Sequence, residues 1–141
     1  MLTQITSTGK RAFFGTPIAV PARIRSSLRR LIAGPAAETV DRVRVLEHST
    51  FASLHGRATA TTRRGCISLR GSADDFFNDP TLMLHEYCHV LLQWEAGALT
   101  LPRYLRECLL RGYWNNSYEV QARAFACRNL PQFLRLLAAA E

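Results

Sequence analysis

The chain reads as a single α+β domain: a helix, a small three-stranded sheet, and then a helical C-terminal half. Three observations predict this. Apolar residues recur at helical spacing in 21–34, short extended stretches fill 41–70, and after residue 79 helix start and stop signals follow one another without a strand pattern. A length of 141 residues suits one domain that can bury a core without staples, and an apolar fraction of 48% is ordinary for a globular protein.

Residues 1–20 hold Gly, Thr, Ser and Pro without a period and are expected to form a loosely ordered arm, leaving 21–141 as the domain. In "PARIRSSLRRLIAG", Ile24, Leu28, Leu31 and Ile32 share a face, Pro21 suits a first turn, and Gly34-Pro35 ends the helix. "DRVRVLEHS" alternates, with Val43 and Val45 on one side, as a strand does. Two further extended pieces are expected over 57–62 and 66–70, turning near Arg64-Gly65. Asp79 as N-cap and Pro80 in the first turn predict a helix over 80–96, stopped by Gly97. "LPRYLRECLLRG" predicts a helix closed by Gly112. A helix in "NSYEVQARAFACRNL" and a short final one from Pro131 complete the chain.

The net charge of +7 rests on seventeen arginines and one lysine, Lys10. The arginines are scattered from Arg11 to Arg135, so the main reading is a solvated surface, with nucleic-acid association as an alternative. Cys66, Cys88, Cys108 and Cys127 show no CxxC spacing, which favours reduced thiols over a disulfide framework or a cysteine metal site. No apolar run approaches the roughly 20 residues of a membrane span, and no signal-peptide stretch follows Lys10-Arg11. A cytoplasmic protein without a membrane partner is the expectation, and export by a route that reads no such signal is the alternative.

"DPTLMLHEYCHVLLQW" carries the chemistry. On one helix His85 and His89 stand a turn apart, roughly 5–6 Å between Cβ atoms, so two imidazoles can converge on one ion. Glu86 reaches over the same face and is placed to take a proton from water rather than to bind metal. Cys88 is turned off that face. Leu82, Leu84, Val90, Leu91 and Trp94 flank the motif, and a buried His-Glu-His cluster without an ion would be costly to desolvate.

A third ligand must come from elsewhere. His48 and His55 lie upstream and no histidine follows His89. Glu95 is turned away, and Glu107 sits among Arg103, Arg106 and Arg111. Glu119 opens a separate helix on which Ala122, Ala124 and Ala126 would permit close approach. Asn116-Ser-Tyr-Glu119 is equally a capping-box spacing, in which the glutamate would serve a helix-start amide. A His₂Glu set with one water leaves the open position a catalytic zinc needs, which favours the ligand reading.

"HEYCHVLLQ" followed by "GYWNNSYEVQARAFA" resembles gluzincin-class HExxH zinc metallopeptidases. With the upstream "VDRVRVLEHSTFASLHGRATATTRRGCISLRG", the chain is similar to small bacterial gluzincin-like domains linked to contractile injection systems and toxins. The resemblance covers roughly residues 21–126 and is strongest at His85, Glu86, His89, Val90 and Gln93. It implies a zincin-like fold, one zinc ion on His85, His89 and Glu119, Glu86 as general base, and a peptide or protein substrate. Arg123 stands where many larger gluzincins place an acidic partner, so the groups orienting the histidines are sought at Asp74 or Asp75. Tyr113 and Tyr118, close in sequence to Glu119, are the candidate oxyanion donors. The strand around Ile67–Arg70 is expected to offer its edge to an extended peptide. The alternative function is a binding or assembly module that retains the metal without catalysis.

Overall fold

The computed structural model describes residues 13–55 and 58–140 and shows an α+β architecture. Its sheet has four strands in the order β1-β2-β4-β3: β1 Thr16–Ile18, β2 Arg44–Glu47, β3 Ala60–Arg63 and β4 Cys66–Leu69. β1 pairs antiparallel with β2, β2 parallel with β4, and β3 antiparallel with β4. The expectation of three strands is corrected by β1. Its three residues are too few to show a period, and the pairing needs Gly15, whose added Cβ would stand 2.5 Å from the Glu47 carbonyl oxygen. The rest of the expected arm, residues 1–12, lies outside the described residues, as does Arg57 at the start of the expected 57–62 strand. The β3–β4 hairpin turns at Arg64-Gly65, where Gly65 takes the positive φ such a turn requires (68°).

The first long helix, α1, spans Ala22–Leu31, and short helical turns follow: α2 at Pro35–Thr39, α3 at Thr50–Ser53 and α4 at Ala73–Phe77. The motif helix α5 begins at Pro80, capped by the Asp79 carboxylate on the Leu82 amide at 3.0 Å. It is α-helical to Tyr87 and continues over Cys88–Trp94 as a wider π-helix, with Glu95 N–H bonded to the Val90 carbonyl five residues back. Helix α6 spans Leu101–Asn115 but is broken at Gly112 (φ 76°), so the glycine stop is where the sequence puts it. Helix α7 then runs unbroken over Ser117–Ala139 with Pro131 inside it, which corrects the expected short final helix. Burial of Ala122, Ala126 and Phe133 on one face of α7 outweighs the amide lost at Pro131.

The core lies between the sheet and these helices. Ile24 and Leu28 of α1, Val45, Ile67 and Leu69 of the sheet, Met83, Leu84, Tyr87, Val90 and Leu91 of the motif helix, and Phe133 of α7 form one cluster. Helices α5 and α7 are thereby packed together, which sets the HExxH turn against the start of α7. Ala122 and Ala126 allow the approach, whereas Ala124 points outward. Among the described residues no helix is long and apolar enough to cross a membrane.

Candidate metal centre

Asn116 decides where Glu119 can go. Its buried side chain caps α7 by accepting from the Tyr118 amide at 2.9 Å, and its amide nitrogen donates to the Tyr104 carbonyl at 3.3 Å. The Asn116 N–H, which a capping-box glutamate would serve, is bonded to the Tyr113 carbonyl at 3.2 Å, and the Glu119 carboxylate faces the motif helix instead. Its Oε2 lies 3.0 Å from His85 Nε2 and its Oε1 3.3 Å from His89 Nε2. The two Nε2 atoms are 3.2 Å apart.

These spacings fit a metal ion. Three donors held at about 2.1 Å in a tetrahedral set stand about 3.4 Å from one another. The donor chemistry fits too. The carboxamide nitrogen of Gln93 donates to the Tyr118 carbonyl at 2.9 Å, so its oxygen must face His89 Nδ1, at 2.6 Å. His89 therefore carries a proton on Nδ1 and turns Nε2 towards Glu119. A lone pair facing a carboxylate requires positive charge between them, a proton or a metal cation. His85, His89 and Glu119 could hold such an ion, and they are the one group of its kind among the described residues.

The electrostatics follow from burial and pairing. Burial alone would raise the Glu119 carboxyl, but hydrogen bonds and charge from His85 and His89 hold it well below the usual carboxylate range. Burial alone would lower His89, yet the Glu119 bond and charge, with Glu86 and Gln93, raise it. Glu86 is 6% exposed, and burial pushes its carboxyl up against the opposing pull of His89 and His85. Burial likewise raises the Cys88 thiol, to about 12, as suits an inert core cysteine. All four cysteines are free.

No protein-family model, curated protein or solved structure matches the chain.

The remaining candidates separate cleanly. His48 is exposed, and His55 lines the outer cavity with Nδ1 at 2.8 Å from the Phe51 carbonyl oxygen. Glu95 is exposed, and Glu107 accepts from the Ser117 hydroxyl at 2.8 Å and pairs with Arg111. Asp74 and Asp75 sit exposed in the first turn of α4, and the group that orients His89 is Gln93. Arg123 lies 3.8 Å over the Trp114 ring. Tyr113 faces the site, its hydroxyl 3.5 Å from Glu119 Oε2 and its pKa raised to about 12 by burial and by Glu119. Tyr118 does not: its hydroxyl donates to the Ala98 carbonyl at 3.0 Å and its ring stacks on Tyr104. The residue sequence reasoning missed is Tyr104, which donates to Glu119 Oε1 at 2.9 Å. The inward spacing of Tyr104 and Cys108 on α6 is the signal that could have found it.

The cluster forms the floor of a cavity of about 410 Å³, the size of a ligand pocket. The strand along its wall is β3, which among the described residues pairs only with β4. The expected peptide-binding edge at Ile67–Arg70 is thus corrected. β4 is paired on both sides over Cys66–Ser68, so its amides there are engaged, while among the described residues no strand pairs with the other side of β3.

Proposed function

We propose that this chain is a zinc-dependent peptidase with a zincin-like arrangement, in which His85, His89 and Glu119 hold one zinc ion. The observation that carries the proposal is the convergence of these three donors beside the buried Glu86, on the floor of an open cavity. Zinc held there supplies Lewis-acid polarisation and a water of lowered pKa.

The chain's own residues account for the rest of the reaction. Glu86 accepts the proton of the water that attacks the substrate carbonyl carbon and delivers it to the departing amine nitrogen, as the C–O bond forms and the C–N bond breaks. A carboxyl raised by burial suits both halves of that transfer. The Tyr113 phenol, neutral at physiological pH, donates to the oxygen on which negative charge develops. The open side of β3 supports an extended substrate by main-chain pairing, which would make side-chain selectivity depend on the cavity alone.

A digest of a denatured protein mixture, with and without chelator, tests this together with metal analysis of the purified protein. Cleavage that stops on metal removal and returns with zinc is expected. Cleavage indifferent to chelator, or none with zinc bound, would defeat the peptidase reading.

A further inference from the structure

The wall of the cavity is as informative as its floor. Trp94, Leu99, Leu101, Leu105, Phe51 and Ala60 line the cavity with apolar surface from four separate elements and the loop before α6. Leu101 and Leu105 lie one turn apart on α6 and are 60% and 52% exposed. They are not core residues: α6 buries none of its side chains, and it meets the body through Tyr104 and Cys108 on a neighbouring face. Two leucines held in water at the mouth of a polar site call for an occupant.

We propose that the cavity accepts a bulky apolar side chain of the polypeptide substrate, with Leu101 and Leu105 as its outer wall. The word substrate rests on the peptidase reading, but the binding does not. The occupant follows from continuity: the same cavity is floored by His85, Glu86, His89 and Glu119, so whatever covers the leucines also lies against those groups. Thr61, Thr62 and Arg63 also reach the lining, but apolar side chains make up most of the wall, so an apolar occupant gains most by burial. The Trp94 indole is fixed to Thr62 Oγ1 at 3.2 Å, so one side of the pocket is preformed.

Trp94 also supplies the readout, since the chain has two tryptophans and the other, Trp114, is exposed outside the cavity. In a Trp114→Phe background, N-acetyl-phenylalaninamide and N-acetyl-leucinamide should shift Trp94 emission saturably, in metal-free and zinc-loaded protein alike. N-acetyl-glutaminamide should not. Leu101→Gln with Leu105→Gln, both at exposed positions, should weaken apolar binding about tenfold with an unchanged melting temperature. Equal response to polar and apolar amides, or unchanged binding in the double variant, would overturn the pocket. So would a concentration-dependent dimer abolished by Leu105→Gln, which would assign the wall to a second copy. Failure of zinc uptake or of peptide cleavage with amide binding intact would strike the peptidase reading alone.

Discussion

Gln93 holds His89 in a single tautomer. Its side-chain oxygen accepts from Nδ1 at 2.6 Å, and its nitrogen, bonded to the Tyr118 carbonyl one residue before Glu119, cannot exchange places with it. One fully buried amide thus orients one donor and anchors the segment that bears another.

Replacing Gln93 with Leu should therefore reach the metal without touching it. The loss of an orienting partner is expected to lower zinc affinity by about 10–100-fold, and the unpaired Nδ1–H should cost about 1–3 kcal/mol of stability. Competition against a chromogenic chelator and urea unfolding measure the two effects. Unchanged zinc affinity would show that the contact does not set the tautomer.

Glu119→Gln keeps the shape of a ligand and removes its charge, so zinc content after dialysis should fall well below one per chain. Stoichiometric zinc in Glu119→Ala would show that the carboxylate is not part of the sphere.

Glu86→Gln should retain zinc and lose turnover by at least about 100-fold, the usual worth of a positioned general base. Tyr113→Phe should lower kcat while leaving zinc content unchanged, and Tyr118→Phe should leave both alone, since its hydroxyl serves Ala98. Turnover surviving in Glu86→Gln would remove the base assignment.

Without metal, stability should depend on pH through the cluster. His89 is raised from its ordinary 6.5, so its contribution is complete below that value and is lost as pH rises through the folded pKa. Glu119 is lowered from its ordinary 4.5, so its contribution is complete above that value and is lost as pH falls through the folded pKa. The pair therefore stabilises the metal-free protein most between about 4.5 and 6.5, with a decline towards alkaline pH that zinc should abolish. Thermal melts across pH, with zinc and with chelator, would reveal it. A metal-free melting temperature that climbs steadily from pH 6 to 9 would contradict the pairing.

Much of this architecture was legible because it is local. Asp79-Pro80 announces the motif helix, Gly65 and Gly112 mark their turns, and histidines four apart share a face wherever a helix forms. The ambiguity at Glu119 was also local, and a tertiary contact bears on it: the Glu119 oxygens lie on His85 and His89 of another helix, while the Asn116 amide a capping glutamate would serve is bonded to the Tyr113 carbonyl. Tyr104 and the strand order were hidden for the same reason. Tyr104 meets Glu119 only because α6 folds back along α7, and β4 is central because the distant strand β2 pairs parallel with it on the side away from β3. Pro131 misled because propensity is a weak prior beside a buried helix face.

The π-helical stretch from Cys88 to Trp94 has a consequence for how this protein tolerates changes in length. A wide turn holds one residue more than an ordinary helix needs, so deleting a single residue after Val90 would tighten it rather than break it. His85, Glu86 and His89 precede that point and would stay in place, and because the wide turn absorbs the lost residue, the chain that follows, Glu119 included, would keep its register. Loss of one codon there would be felt at Gln93, whose contact with His89 lies inside the wide turn, so a shortened chain should still fold but hold its metal more loosely.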